Sequence, residues 1–157
     1  MDVELRLVTE ADCADLQRNC WPDRSERAVR MRLADMVLRQ QREVAWGVVA
    51  AVDGRVVAYG QVARWIKGGE ISDVIVAEPL RGNGIGRLLV ERLIEIAREA
   101  GLPEVEIGAA ESNPVALNLY RSLGFTPRRH MILDLGDGPE PVIFLCMELN
   151  PGEQGGA

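Results

Sequence analysis

Arg81-Gly82-Asn83-Gly84-Ile85-Gly86 follows an apolar, strand-like run, Ile71-Ser72-Asp73-Val74-Ile75-Val76, and precedes a helical one. Glycines at alternate positions let the backbone turn inward, so that successive N–H groups converge on one point. The helix behind them adds the positive end of its dipole at the same place. Such a nest suits a pyrophosphate, and Arg81 adds a guanidinium that can meet phosphate oxygens in pairs. The expected helix, over residues 85–100, lines up Ile85, Leu88, Leu89, Leu93, Ile96, Ala97 and Ala100 on one stripe. Gly101 stops it in the C-cap role and Pro103 follows. Strand, glycine loop and helix in that order weigh more than glycines alone, which elsewhere only shape a tight turn.

Two commoner nucleotide motifs do not fit. A P-loop ends in Gly-Lys-Ser/Thr, whereas Gly86 is followed by Arg87-Leu88. The dinucleotide fingerprint, G-x-G-x-x-G, needs one residue more than Gly82-x-Gly84-x-Gly86 supplies. The loop also lies in mid-chain, after four expected strands.

Upstream of the loop, residues 3–8 alternate as a first strand. Thr9 offers an N-cap for a short helix over 11–19, and a second helix is expected over 25–42. Residues 44–52 and 55–64 read as strands joined by Asp53-Gly54, a strong hairpin signal. The fourth strand covers 70–77. Downstream, 105–109 is a fifth strand, and Asn113-Pro114 opens a helix running through Leu117, Tyr120 and Leu123 to Gly124. Residues 125–135 form a sixth strand interrupted by Pro127. Val142 to Met147 is almost wholly apolar, so this last strand belongs inside a sheet, covered on both faces. The pattern is that of one α/β domain over 1–149, with 150–157 as a frayed tail.

Composition bounds the function. The chain has 157 residues, 47% of them hydrophobic and 27% charged, ordinary for one soluble domain. Its first residues alternate acidic and apolar, unlike a signal peptide, and no apolar run nears the roughly 18 residues of a membrane helix. A cytoplasmic protein is expected, with no membrane partner. Cys13, Cys20 and Cys146 form no C-x-x-C pair, and His130 is the one histidine, so neither a disulfide framework nor a metal site is expected. The net charge of −6 argues against nucleic acid and mildly favours a cationic substrate. Six arginines between Arg24 and Arg42 run against that trend, as a solvated helix face or as the wall of an anion site.

Arg81 to Gly86 resembles the pyrophosphate-binding motif Arg/Gln-x-x-Gly-x-Gly/Ala of the GNAT superfamily of N-acetyltransferases. Ala110-Glu111-Ser112-Asn113-Pro114-Val115-Ala116, with Leu119-Tyr120-Arg121-Ser122-Leu123-Gly124-Phe125, is similar to that family's second motif. The resemblance implies a mixed α/β fold, a twisted and mostly antiparallel seven-stranded sheet splayed between strands four and five, flanked by about four helices. It implies acetyl-CoA as co-substrate, lying in the split, its pantetheine beside the edge of Val74, Ile75 and Val76. Arg81, Gly82, Asn83, Gly84, Ile85 and Gly86 would bind the pyrophosphate, and Asn113 the cofactor, unless it only caps its helix.

In the family-like mechanism Tyr120 protonates the departing thiolate; phenol and thiol have nearby pKa values, about 10 and 8.5. Glu70 is the first candidate for general base. Asp73 is the second, although alternation places it on the opposite face from Glu70. A backbone N–H near Val76 would face the oxyanion. No histidine stands beside the cysteines in sequence, which favours direct transfer over a covalent acyl-enzyme. The acceptor would be a small amine, a peptide N-terminus or a lysine, chosen by the first two helices, the connection between the last two strands, and Trp65 with Glu70. The competing function is a catalytically idle acyl-CoA-binding or sensing domain. A homodimer through an exposed strand edge stays open.

Overall fold

The computed structural model describes residues 1–149; the tail expected at 150–157 lies outside the described residues. The strands are β1 (Val3–Leu7), β2 (Ala45–Val52), β3 (Arg55–Arg64), β4 (Gly69–Val76), β5 (Glu104–Ala110), β6 (Thr126–Asp134) and β7 (Pro139–Glu148). The helices are α1 (Cys13–Asn19), α2 (Glu26–Gln41), α3 (Ile85–Glu99) and α4 (Pro114–Ser122). The strands form one sheet in the order β1-β2-β3-β4-β5-β7-β6. Every neighbouring pair is antiparallel except β4 and β5. None of the helices is long and apolar enough to cross a membrane among the described residues.

Local chemistry explains most boundaries. Asp53 and Gly54 both have positive φ, 52° and 76°, as a two-residue hairpin turn requires. Ser25 Oγ accepts the Ala28 N–H at 3.0 Å and starts α2. The first helix is shorter than expected, because Glu10 to Asp12 forms a separate 3-10 turn. Asp12 holds that turn: it is buried, takes both Arg6 Nη atoms at 2.9 and 2.7 Å, and accepts the Thr9 N–H at 2.9 Å. Burial alone would raise its pKa, but the Arg6 and Thr9 bonds outweigh it and hold the carboxyl below its ordinary range. An Asp12→Asn variant is therefore expected to lose about 2 kcal/mol near pH 7. A depressed carboxyl stabilises the fold above its unfolded pKa, so the gap should close as pH falls below about 4. Thermal melts across pH 3–8 check this.

β7 sits between β5 and β6 with Val142, Ile143, Leu145 and Cys146 buried, so its unbroken apolar run is interior, as its composition predicts. β6 is the sheet edge; Pro127 does not interrupt it but coincides with a register shift. On one face α3 packs Ile85, Leu89, Leu93 and Ala97 against Ile71, Ile107 and Leu145. Leu88 departs from the expected stripe and is exposed, while Val90 and Ile94 are buried. On the other face α1 and α2 cover β2 and β3 with Leu16, Val29, Leu33 and Met36 around Tyr59. The arginines of α2 are mostly solvated, Arg30 and Arg39 pairing with Glu26 and Asp35 one turn earlier. Arg32 is the exception and reaches into the sheet.

Two irregularities of β4 position the site. β4 and β5 pair only at Gly69–Val105, Glu70–Glu106 and Ile71–Ile107; beyond these the strands part and the rest of β4 has no partner on that side. Opposite Gly60, β4 carries a bulge, seen as a register shift against β3 and a positive φ of 55° at Asp73. Ile71 and Val74, three residues apart, then both lean on the α3-side core, and Ile75 on the other. Strict alternation therefore fails at Asp73. It shares the α2 face with Glu70 and pairs with Arg32 at 2.6 Å, which corrects the expected opposite placement.

Candidate active site

Gly82 and Gly84 have φ of 83° and 82°, and nothing lies within 4 Å of where a Cβ would stand on either. Their requirement is thus conformational, and the space beside them is open. Leu88 is the first amide of α3 with a carbonyl partner, Gly84 O at 3.2 Å; among the described residues the amides of 82–87 have none. Arg81 Nε donates to Val76 O at 3.1 Å and Asn83 Nδ2 to Leu80 O at 3.0 Å, which fixes the loop against the end of β4. Part of the Arg81 fork is spent on the protein, while its Nη atoms have no partner among the described residues. Ile85 is buried in the core, so only its backbone can serve the loop. A ring of open amides at a helix N-terminus fits a pyrophosphate.

α4 lies against this loop. Arg87 Nη2 donates to Ser122 Oγ at 2.5 Å, and Leu119 approaches the Gly86 Cβ position at 3.9 Å. Asn113 caps α4, its Oδ1 accepting the Ala116 N–H at 3.2 Å, while its Nδ2 makes no bond with described residues. Tyr120 is 8% exposed and packs edge-on to Phe125, ring centroids 6.2 Å apart. Its hydroxyl has no hydrogen-bond partner among the described residues, and burial holds the phenol protonated above its ordinary range. Loop, Asn113 and Tyr120 are thus brought together. Val74 and Val76 lean on the α3-side core, and the unpaired edge of β4 runs between them and the split.

Glu70 stands apart from this group, four residues and roughly 13 Å up β4 from Val74, on the opposite sheet face. Between the two, β4 and β5 are no longer paired. Glu70 is half-buried; burial raises its pKa, Glu106 and Asp73 raise it further, and Arg129 opposes them. Glu106 is 5% exposed and bonded by Arg129 Nη2 at 2.5 Å, with Arg128 at 3.5 Å. Beside them is a hollow of about 360 Å³ whose walls include Trp65, Gly69, Glu106 and Arg129. A larger hollow of about 840 Å³, at Val44, Trp65 and Ile66, contains neither a carboxylate nor a glycine nest, so size alone does not locate the chemistry.

Glu106 and Arg129 were not singled out by the sequence. The available signal was a carboxylate inside the alternating Val105-Glu106-Ile107, but its partner becomes visible only through the β4–β5 register. The cysteines are poor nucleophiles: burial raises all three thiols, Cys20 and Cys146 to about 11.

The acetyltransferase (GNAT) family model matches residues 10–125. Mycothiol acetyltransferase of Thermomonospora curvata is 36% identical over an alignment 98 residues long that covers 59% of this chain and 31% of that protein. The matches span between 30% and 54% of the length of four such curated relatives. The Salmonella typhimurium protein yncA, solved with its cofactor acetyl-CoA, superposes with a TM-score of 0.78 at 26% identity, covering 95% of each chain. The ribosomal-protein-alanine N-acetyltransferase of Brucella melitensis gives 0.79 at 26% identity, over 93% of this chain and 99% of that one. With its two motifs, its split sheet and this match over most of its length, the chain belongs to the GNAT family of acetyltransferases.

Proposed function

We propose that the chain is an N-acetyltransferase that moves the acetyl group of acetyl-CoA to a primary amine by direct attack. The observation that carries this is the parting of β4 from β5, with a glycine nest and Tyr120 on one face of the sheet and Glu70 on the other. Bound acetyl-CoA would supply an activated thioester. The amides of residues 82–87 and the Arg81 Nη atoms hold its pyrophosphate, the free edge at Val74, Ile75 and Val76 pairs with pantetheine, and Asn113 Nδ2 donates to it.

A primary amine, with a pKa near that of lysine (about 10.4), arrives protonated and must lose a proton to attack. Glu70 takes that proton, directly or through water, and its raised pKa makes it a stronger base than an exposed glutamate. Tyr120 gives its hydroxyl proton to the departing thiolate. The buried, protonated thiols favour direct transfer over an acyl-cysteine. The net charge of −6 and the carboxylates around Glu70 favour a cationic acceptor: a small amine, a peptide N-terminus or a lysine.

The test is chromatographic detection of CoA release from acetyl-CoA over a panel of small amines and peptides. Amine-dependent release, lost in Glu70→Gln, is expected. Tight acetyl-CoA binding with no release for any acceptor would overturn it in favour of an acyl-CoA-sensing domain.

A further inference from the structure

We propose that Glu106 and Arg129 act as a positioning pair for Glu70: Arg129 is engaged by Glu106 in an ion pair, and Glu70 is left as the carboxyl that exchanges protons with the acceptor. This rests on Glu70 being the general base. Glu70 and Glu106 are lateral partners in the parallel ladder, one pair before the strands part, so their side chains project from the same face. Two neighbouring carboxylates repel each other, and one of them has taken the nearby cations. That group is Glu106, buried and held by Arg129 at 2.5 Å, with Arg128 at 3.5 Å.

Arg129 is itself seated. Its guanidinium lies 4.5 Å from the Phe144 ring centroid, and the Phe144 ring rests on Gly108, where a Cβ would come within 2.8 Å of it. Gly108 thus makes room for Phe144, which forms the platform under Arg129, and Arg129 aims at Glu106. The other charges facing Glu70 are already paired or stand further out. Asp73 of β4 is bound by Arg32 of α2, Arg128 of β6 also takes Glu104 of β5, and Lys67 lines the same hollow from the β3–β4 turn. In the transfer, a Glu70 carboxylate oxygen accepts one N–H proton of the ammonium, the nitrogen keeps the electron pair, and the resulting carboxyl later returns its proton to water.

Two measurements on the full chain decide the matter: the pH dependence of kcat/KM for the acceptor found active, and a carbon-13 NMR titration of the Glu70 carboxyl, assigned with Glu70→Gln. Glu106→Gln removes a neighbouring negative charge, so the Glu70 midpoint and the acid limb should both move down by about one pH unit. Arg129→Met removes the opposing cation, so both should move up by a similar amount. Arg129→Lys, which keeps the charge but loses the fork, should fall between Arg129→Met and the wild type. A merely structural role would lower rates without moving the two variants in opposite directions. A Glu70 midpoint unmoved in Glu106→Gln and Arg129→Met overturns the proposal. An acid limb that survives in Glu70→Gln instead overturns Glu70 as the base, and the titration still reports on the pair.

Discussion

A Gly84→Asp variant is expected to bind acetyl-CoA about 100-fold more weakly than the wild-type chain, or worse, with its fold intact. Gly84 is the N-cap of α3 in a left-handed conformation, φ 82°, with nothing within 4 Å of its Cβ position. Aspartate tolerates that conformation better than most residues and is a good N-cap, so backbone strain and capping nearly offset in the free protein. The new carboxylate would, however, fold onto the open amides of Ile85 to Arg87, the donors proposed to hold the pyrophosphate. Losing two charge-assisted hydrogen bonds, at about 1.5–3 kcal/mol each, already corresponds to two or more decades in affinity. Repulsion between carboxylate and phosphate adds to that. Gly84→Ala separates the causes, since its strain of about 1 kcal/mol is common to the free and bound protein: it should cost stability and leave affinity nearly unchanged. Isothermal titration calorimetry with acetyl-CoA, alongside a melting curve, is the check. Equal affinity in Gly84→Asp and the wild type would remove the nest from the binding site.

The elements around this loop were legible because their causes are local. Gly82, Gly84, Pro114 and the Asp53-Gly54 turn each announce a backbone conformation that few other residues adopt. The apolar run of β7 announces burial on both faces before its neighbours are known. What stayed hidden depends on register. Period two placed Asp73 opposite Glu70, and one bulge in β4, facing Gly60, reversed it. Glu106 meets Glu70 only because β4 and β5 pair for three residues and then part, and no local pattern in either strand fixes that pairing. Arg129 is further removed still, since it reaches Glu106 from the edge strand across β7 and depends on Gly108 and Phe144 to do so. Most of the half proposed to bind acetyl-CoA lies on one continuous strand–loop–helix and could be read from neighbours in sequence. The half proposed to accept the proton is assembled across β4, β5 and β6 and could not.

Tyr120→Phe should lower kcat by about 100-fold or more, the range a positioned general acid contributes, while leaving acetyl-CoA affinity and stability nearly unchanged. The aromatic ring supplies the packing: Tyr120 is 8% exposed in the α3-side core and meets Phe125 edge-on, and phenylalanine keeps both contacts. The hydroxyl has no protein partner among the described residues, so deleting it breaks no hydrogen bond and orphans no donor. A tyrosine whose role was structural packing would therefore tolerate this change, whereas Tyr120→Ala would cost about 3–5 kcal/mol as the cavity opened. Because burial raises the phenol pKa, Tyr120 stays protonated through the working pH range and should give no alkaline limb below about 10. The acid limb, proposed to come from Glu70, should persist in Tyr120→Phe, since the two groups lie on opposite sheet faces and share no partner among the described residues. Kinetics with the active acceptor over pH 5–10, paired with calorimetry, make the comparison. Full turnover in Tyr120→Phe with normal acetyl-CoA binding would assign the proton on the thiolate to solvent and leave Tyr120 as a core residue.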